Sequence, residues 1–154
     1  MSYEIQKLEP RNYHKCNNIW DMNKNEYFIE RSKKWYEELI TGNRIIFVYI
    51  ENGEYLGEGS LVFSNGDSDY TVANKRIYLS RMIVKPECRN RGIGSILINF
   101  LVDYAKKSGY KEMSLGVDIT NIGARWLYEK KGFTNIIFVG EDKDGRYVKL
   151  IKTL

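Results

Sequence analysis

Two cysteines, one histidine and two prolines are all that the 154 residues hold of those types. Cys16 and Cys88 lie far apart with no histidine cluster beside them, which signals neither a disulfide framework nor a zinc site. A reducing cytoplasm is therefore the expected compartment, and no metal is expected. His14 has nothing in the sequence to orient it and reads as a surface or helix residue rather than a base. Long apolar runs are missing too: no stretch approaches the roughly 20 residues of a membrane span. The opening MSYEIQKLEPRNYHK carries charge throughout instead of a signal-peptide core, so no membrane association is expected. Basic residues come in pairs at most, such as Lys33 with Lys34 and Lys130 with Lys131, and an excess of +4 falls short of a nucleic-acid arm. That excess, with a pI near 8.9, suits an acidic small molecule.

What is present is enough for one core: 43% hydrophobic and 14% aromatic residues in a length typical of a single domain spanning 1–154. Alternation over Tyr3 to Leu8 predicts a strand closed by Pro10, and helical spacing from Arg11 to Ile40 predicts two short helices. Their inward positions are Ile19, Met22, Trp35, Leu39 and Ile40. Arg44 to Ile50 and Tyr55 to Phe63 read as strands joined by Asn52-Gly53, the strongest short hairpin signal. After a polar loop, Ser64 to Asn74, come a strand at Arg76 to Val84, a helix opened by Gly92 and closed at Gly109, and a strand at Met113 to Val117. Strand, helix, strand at that length is a βαβ unit, so its strands should run parallel. A helix from Asn121 to Gly132 and strands at Phe133 to Val139 and Tyr147 to Ile151 complete the chain.

The stretch ECRNRGIGSILINF sets two arginines and two glycines against the first turn of the central helix. That turn carries amides without intrahelical partners and the positive end of the helix dipole, an anion site in the making. Three glycine motifs compete for it. A dinucleotide fingerprint needs glycine where Leu97 stands, and a nucleotide P-loop needs Gly-Lys-Ser/Thr, which neither Gly92 nor Gly94 precedes. What remains is Arg89-Asn90-Arg91-Gly92-Ile93-Gly94, which resembles the Q/R-x-x-G-x-G/A signature of the GNAT superfamily of acyl-CoA-dependent N-acetyltransferases. Met82-Ile83-Val84-Lys85-Pro86 looks like that family's strand end. Asn121 through Phe133 (NIGARWLYEKKGF) resembles its N-x-x-A-x-x-L-Y-x-x-x-G-F block.

The resemblance implies an α/β fold with a mixed, mostly antiparallel sheet, a central parallel pair and flanking helices. It also implies acetyl-CoA as co-substrate, its diphosphate held at Arg89, Asn90, Arg91, Gly92, Ile93, Gly94 and Ser95. The backbone of Met82, Ile83 and Val84 would polarise the thioester carbonyl, Val117 would face it across a slot between splayed strands, and Asn121 and Ala124 would border the pantetheine arm. Tyr128 would assist the departing sulfur. Asn121, Ala124 and Tyr128 fall at spacings of three and four, one helix face, although singly they also read as a cap, a helix former and a buried ring. The expected reaction is acetyl transfer to a primary amine of a small molecule or peptide; the rival is an acyl-CoA-binding sensor without chemistry. A homodimer accords with the family, and no nucleic-acid partner is expected.

The base is less legible. Where family members carry a carboxylate on the strand before the glycine loop, this chain has Tyr78, Ser80 and Arg81. Glu58 in the neighbouring strand is the first candidate, acting directly or through water, with Glu26, Glu30 and Asp118 behind it. Tyr27, Phe28 and Trp35 are read either as an acceptor wall or as core, and Cys88 as an incidental thiol.

Overall fold

Seven runs rich in β-branched and aromatic residues form one mixed sheet in the computed structural model, which describes residues 2–19 and 26–154, with 26–28 through the backbone alone. The strands are β1 (Glu4–Lys7), β2 (Arg44–Glu51), β3 (Glu54–Val62), β4 (Arg76–Val84), β5 (Glu112–Asp118), β6 (Asn135–Asp142) and β7 (Gly145–Thr153), in the order β1-β2-β3-β4-β5-β7-β6. The crossover through helix α2 (Ile93–Lys107) makes β4 and β5 parallel, the one parallel pair among the described residues. Helix α1 (Glu26–Thr41) precedes β2 and helix α3 (Ile122–Lys130) follows β5. Asn52 and Gly53 both have positive φ, 51° and 78°, as a two-residue hairpin between β2 and β3 requires. No helix among the described residues is long and apolar enough to cross a membrane.

Contacts divide the chain into two units, Met1–Leu61 with Arg81–Leu97, and Val62–Ser80 with Ile98–Leu154. In the first unit every residue of β2 is buried, which is why its sequence reads as a continuous apolar run. Ile46, Val48 and Ile50 join Leu8, Cys16, Ile19 and Leu39 on one face, while Tyr49 turns to Leu56, Ile93 and Leu97 on the other. Gly57 lets the start of α2 lie close to β3, since a Cβ there would stand 3.1 Å from Ile93 and 3.2 Å from Leu97. In the second unit Met113, Leu115 and Val117 are buried from β5 and Val148 and Leu150 from β7, the strands pairing antiparallel from Glu112↔Thr153 to Asp118↔Tyr147.

Some boundaries and one core position differ from expectation. The two helices expected over Arg11 to Ile40 are both there, but the first, Pro10–Asn18, is a 3-10 helix with Pro at its first turn, and the second, α1, is 16 residues long rather than short. Ile19 and Leu39 are buried as expected, Met22 lies outside the described residues, and Ile40 is 57% exposed. The helix period explains the last: Ser32, Trp35 and Leu39 define the inward stripe, and Ile40 lies a further 100° round the axis. Strand β6 begins two residues after Phe133, which is buried as the closing residue of the α3 turn, its amide donating to the Tyr128 carbonyl.

Candidate functional site

In the first unit, β4 ends at Val84, a 3-10 turn follows at Pro86–Cys88, and the chain enters α2 through two left-handed residues, Asn90 at φ 65° and Gly92 at φ 84°. Asparagine tolerates that region and glycine adopts it freely, so the Asn-Arg-Gly order has a conformational cause. A Cβ at Gly92 would meet nothing within 4 Å; the φ angle, not crowding, calls for glycine. The first helical bond runs from the Ile96 N–H to the Gly92 carbonyl, leaving the amides of Ile93, Gly94 and Ser95 ahead of it at the positive end of a 15-residue helix. Ile93 anchors this turn with its side chain 2% exposed.

Both arginines of the loop are oriented by the protein. Arg89 Nε donates to the Val84 carbonyl at 3.2 Å, tying the loop to the strand end. Arg91 reaches both oxygens of Glu51 at 2.8 and 2.6 Å, with Glu51 6% exposed and Arg91 40%, so a buried carboxylate aims a guanidinium that solvent still reaches. Met82 and Val84 turn to the Ile93–Leu97 cluster and Ile83 to the opposite one, leaving the backbone of this strand end as what it can present.

Glu58, the first base candidate, is fully buried. Its Oε1 accepts from Arg81 Nε at 2.8 Å, and that guanidinium lies 4.2 Å from the centre of the Trp35 ring. Burial, then Glu58, raises Cys16 above the usual thiol range, and burial raises Tyr13 to about 12. The site of Glu58 is thus an ion pair in the core. Glu30 is exposed, the side chain of Glu26 lies outside the described residues with those of Tyr27 and Phe28, and His14 is exposed.

In the second unit the parallel ladder is short. It runs from Arg76↔Glu112 through Tyr78↔Ser114, although β5 continues to Asp118 and remains paired with β7 to its end. Asn121 caps α3, its Oδ1 accepting from the Ala124 N–H at 3.2 Å. Ala124 is half-buried, while Tyr128 is 8% exposed and meets Phe133 edge to face at 6.0 Å. Burial first, and Tyr78 second, raise the Tyr128 phenol to about 12. Asp118, the remaining base candidate, is exposed at the end of β5. The expected residues therefore fall in two groups: the strand end, glycine loop and Glu58 in one unit, and Asp118, Asn121, Ala124 and Tyr128 in the other. Among the described residues no group of three or more His, Cys, Asp or Glu is placed to hold a metal ion.

Two features escaped the sequence. Glu51 looks like one more carboxylate beside a turn until the fold sets it against Arg91, forty positions away. Tyr70, in the polar loop after β3, stacks on Tyr78 with centroids 4.2 Å apart, and only the ladder places it there.

A family profile described as acetyltransferase (GNAT) family matches residues 8–133. The uncharacterized N-acetyltransferase YhfO of Bacillus subtilis (strain 168) is 37% identical over 92 residues, 58% of this chain and 58% of that protein. The chain thus spans under two thirds of that relative's length. Two solved structures share the fold. The PaiA N-acetyltransferase from Thermoplasma acidophilum in complex with coenzyme A is 22% identical, covers 100% of both chains and has a TM-score of 0.73. The ribosomal-protein-S18-alanine N-acetyltransferase from Escherichia coli is 20% identical, covers 99% of this chain and 94% of its own, and has a TM-score of 0.79.

Proposed function

The chain belongs to the acetyltransferase (GNAT) family, and from that premise we propose that it transfers acetyl from acetyl-CoA to a primary amine of a small molecule or peptide by direct attack. The observation that carries this reading is the turn from Asn90 to Ser95, where two left-handed residues bring bare amides and an aimed Arg91 to the start of α2. A diphosphate matches that arrangement in charge and in its many acceptor oxygens. Arg89, Asn90, Gly92 and Ile93 complete the grip in this reading, with Asn121 and Ala124 alongside the pantetheine arm. Acetyl-CoA supplies the activated acyl group as a thioester. The backbone of Met82, Ile83 and Val84 is assigned to the carbonyl oxygen as it gains charge.

Attack forms the C–N bond, breaks the C–S bond and releases a thiolate, and the proton lost by nitrogen balances the charge. Tyr128 supports the sulfur. A phenol at about 12 handing its proton outright to a thiolate of about 8.5 is uphill by about 5 kcal/mol, so Tyr128 acts as a hydrogen-bond donor while the proton comes from the acidified nitrogen. The amine must arrive neutral. For a group of pKa about 10.4 that costs about 4.6 kcal/mol at pH 7, and Glu58, sealed against Arg81, takes the proton only through relayed water.

The second reading is a sensor that binds acyl-CoA without turning it over; the burial of Glu58 in an ion pair favours it. A panel of primary amines assayed by thiol release separates the two. The enzyme reading expects release with at least one amine and a Tyr128→Phe variant with kcat lowered about tenfold or more and an unchanged Kd for acetyl-CoA. Binding of acetyl-CoA with no release across the panel would leave the sensor standing. An unchanged kcat in the variant removes Tyr128 from the chemistry.

A further inference from the structure

Strand β6 ends the sheet, bonded to β7 alone among the described strands, so the amides and carbonyls of its outer edge have no ladder to join. Such an edge invites another strand unless it is short, charged or broken by proline. At the other end of the strand order, β1 is only four residues long, with Glu4 and Lys7 at its ends. β6 is eight residues long, and from Asn135 to Gly140 it carries neither charge nor proline. Ile136, Phe138 and Val139 all stand exposed on it.

The bulge between Ile136 and Phe138 sets which way these side chains turn. Ile136 pairs with Leu150 and Val139 with Val148, two residues apart on β7, so both turn to one face although three positions separate them. Helix α3 lies over part of that face. An open groove of about 390 Å³ runs between Ile122, Trp126 and Glu129 of the helix and Ile136, Val148 and Leu150 of the strands. Ile122 and Trp126, one turn apart on α3, are 74% and 64% exposed at this groove. A single exposed apolar side chain needs no explanation. Three of them around one groove, next to an unpaired strand edge, mark a surface built for contact.

The charges around the edge favour one occupant. Lys130 and Lys131 close α3 ahead of β6, and the Lys130 ammonium sits 4.9 Å from the centre of the Trp126 ring. At the far end of β6, Glu141, Asp142 and Asp144 outnumber Lys143 and Arg146. A β6 strand from a second copy, added antiparallel, sets its acidic end beside these lysines and its own lysines beside these acids. One two-fold axis satisfies both contacts at once, whereas parallel pairing would set like charges together. We propose that the outer edge of β6 and the groove beside α3 form the interface of a symmetric dimer of this chain. The two β6 strands pair antiparallel, and Trp126 and Ile136 of each copy are covered in the contact. This interface is independent of the acetyltransferase reading, and neither needs the other.

Sedimentation of the chain from about 1 to 100 µM should show a species of twice the 18.1 kDa chain mass growing with concentration. Amide hydrogen exchange on the same samples needs no variant: the β6 amides not bonded to β7 should exchange more slowly at the high concentration, while those of β1 exchange alike at both. Val139→Lys, a charge beside the edge, should raise the dimer Kd about tenfold or more with an unchanged far-UV spectrum. Should that variant unfold, the exchange comparison decides alone. Asp142→Lys and Lys130→Glu should each weaken the dimer, and together restore it. A chain that stays monomeric over this range overturns the proposal and leaves the edge to a partner of another kind. So does a dimer whose β6 amides exchange equally fast at both concentrations, or one that a folded Val139→Lys leaves as tight. Additive weakening by the two charge reversals overturns the antiparallel arrangement.

Discussion

Burial holds several phenols of this protein well above their ordinary range. Burial raises Tyr128 and Tyr13 from 10.0 to about 12, and Tyr70 further. In an unfolded chain each would ionise near 10. The folded pKa is the higher one, so the neutral phenols contribute stability in full below pH 10, and that contribution is lost as pH rises toward about 12. Urea unfolding followed at pH 8, 10 and 11.5 should therefore show a midpoint level from 8 toward 10 and falling steeply beyond it. Replacing Tyr13 by Phe, which removes the hydroxyl bonded to the Ser32 carbonyl at 2.9 Å, should flatten part of the fall while lowering stability at pH 8. A midpoint level through pH 11.5 would mean these rings reach water in the folded state. Tyr128 also has a catalytic consequence: neutral through the working range, it adds no descending limb to the rate profile below pH 10.

Among the elements, the entrance to α2 is where local sequence and local structure agree most closely. Asn90 and Gly92 both take positive φ, and only Gly92 does so without strain. Gly92→Ala, with open space around the new methyl, isolates the backbone term: about 1 kcal/mol of stability and a several-fold weaker Kd for coenzyme A, read by thermal unfolding and calorimetry. A loss of stability with coenzyme A affinity intact would separate this turn from ligand binding. That the turn could be read in advance follows from its being local: glycines, arginines and a helix start within seven residues. The hairpin at Asn52-Gly53 and the crossover joining β4 to β5 were legible for the same reason. The 3-10 character of Pro10–Asn18 was not, because the i and i+3 neighbours that mark a 3-10 turn are also neighbours on an α-helix. Glu58 and Tyr70 were not either. A carboxylate in a strand reads as solvent-facing until a distant Arg81 accompanies it inward, and a tyrosine in a polar loop has no periodicity to place it.

Across the molecule the charge is +4, and it acts on the two proposed substrates in opposite senses. A phosphate-rich thioester carrier is drawn toward a positive protein and a protonated amine is pushed away, both over roughly a Debye length, about 10 Å at 0.1 M salt. Raising salt from 20 to 500 mM should therefore raise KM for acetyl-CoA severalfold. Over the same range KM for a monocationic amine should fall modestly, since the repulsion is spread over the surface while Arg89 and Arg91 concentrate the attraction at one turn. The sign of the amine effect carries the argument. Exposed acids such as Asp118 on β5 and the half-buried pair Asp67 and Asp69 could outweigh the net charge locally; in that case amine KM rises with salt, and attraction by nearby carboxylates replaces repulsion by the whole protein as the governing field. Repeating the salt series at pH 9.5, above the pI near 8.9, removes the net positive charge and leaves more of the amine neutral, so it should shrink the amine effect of either sign and keep only the part of the acetyl-CoA effect that Arg89 and Arg91 supply. An amine effect of undiminished size at that pH would trace it to a salt-dependent rearrangement rather than to charge.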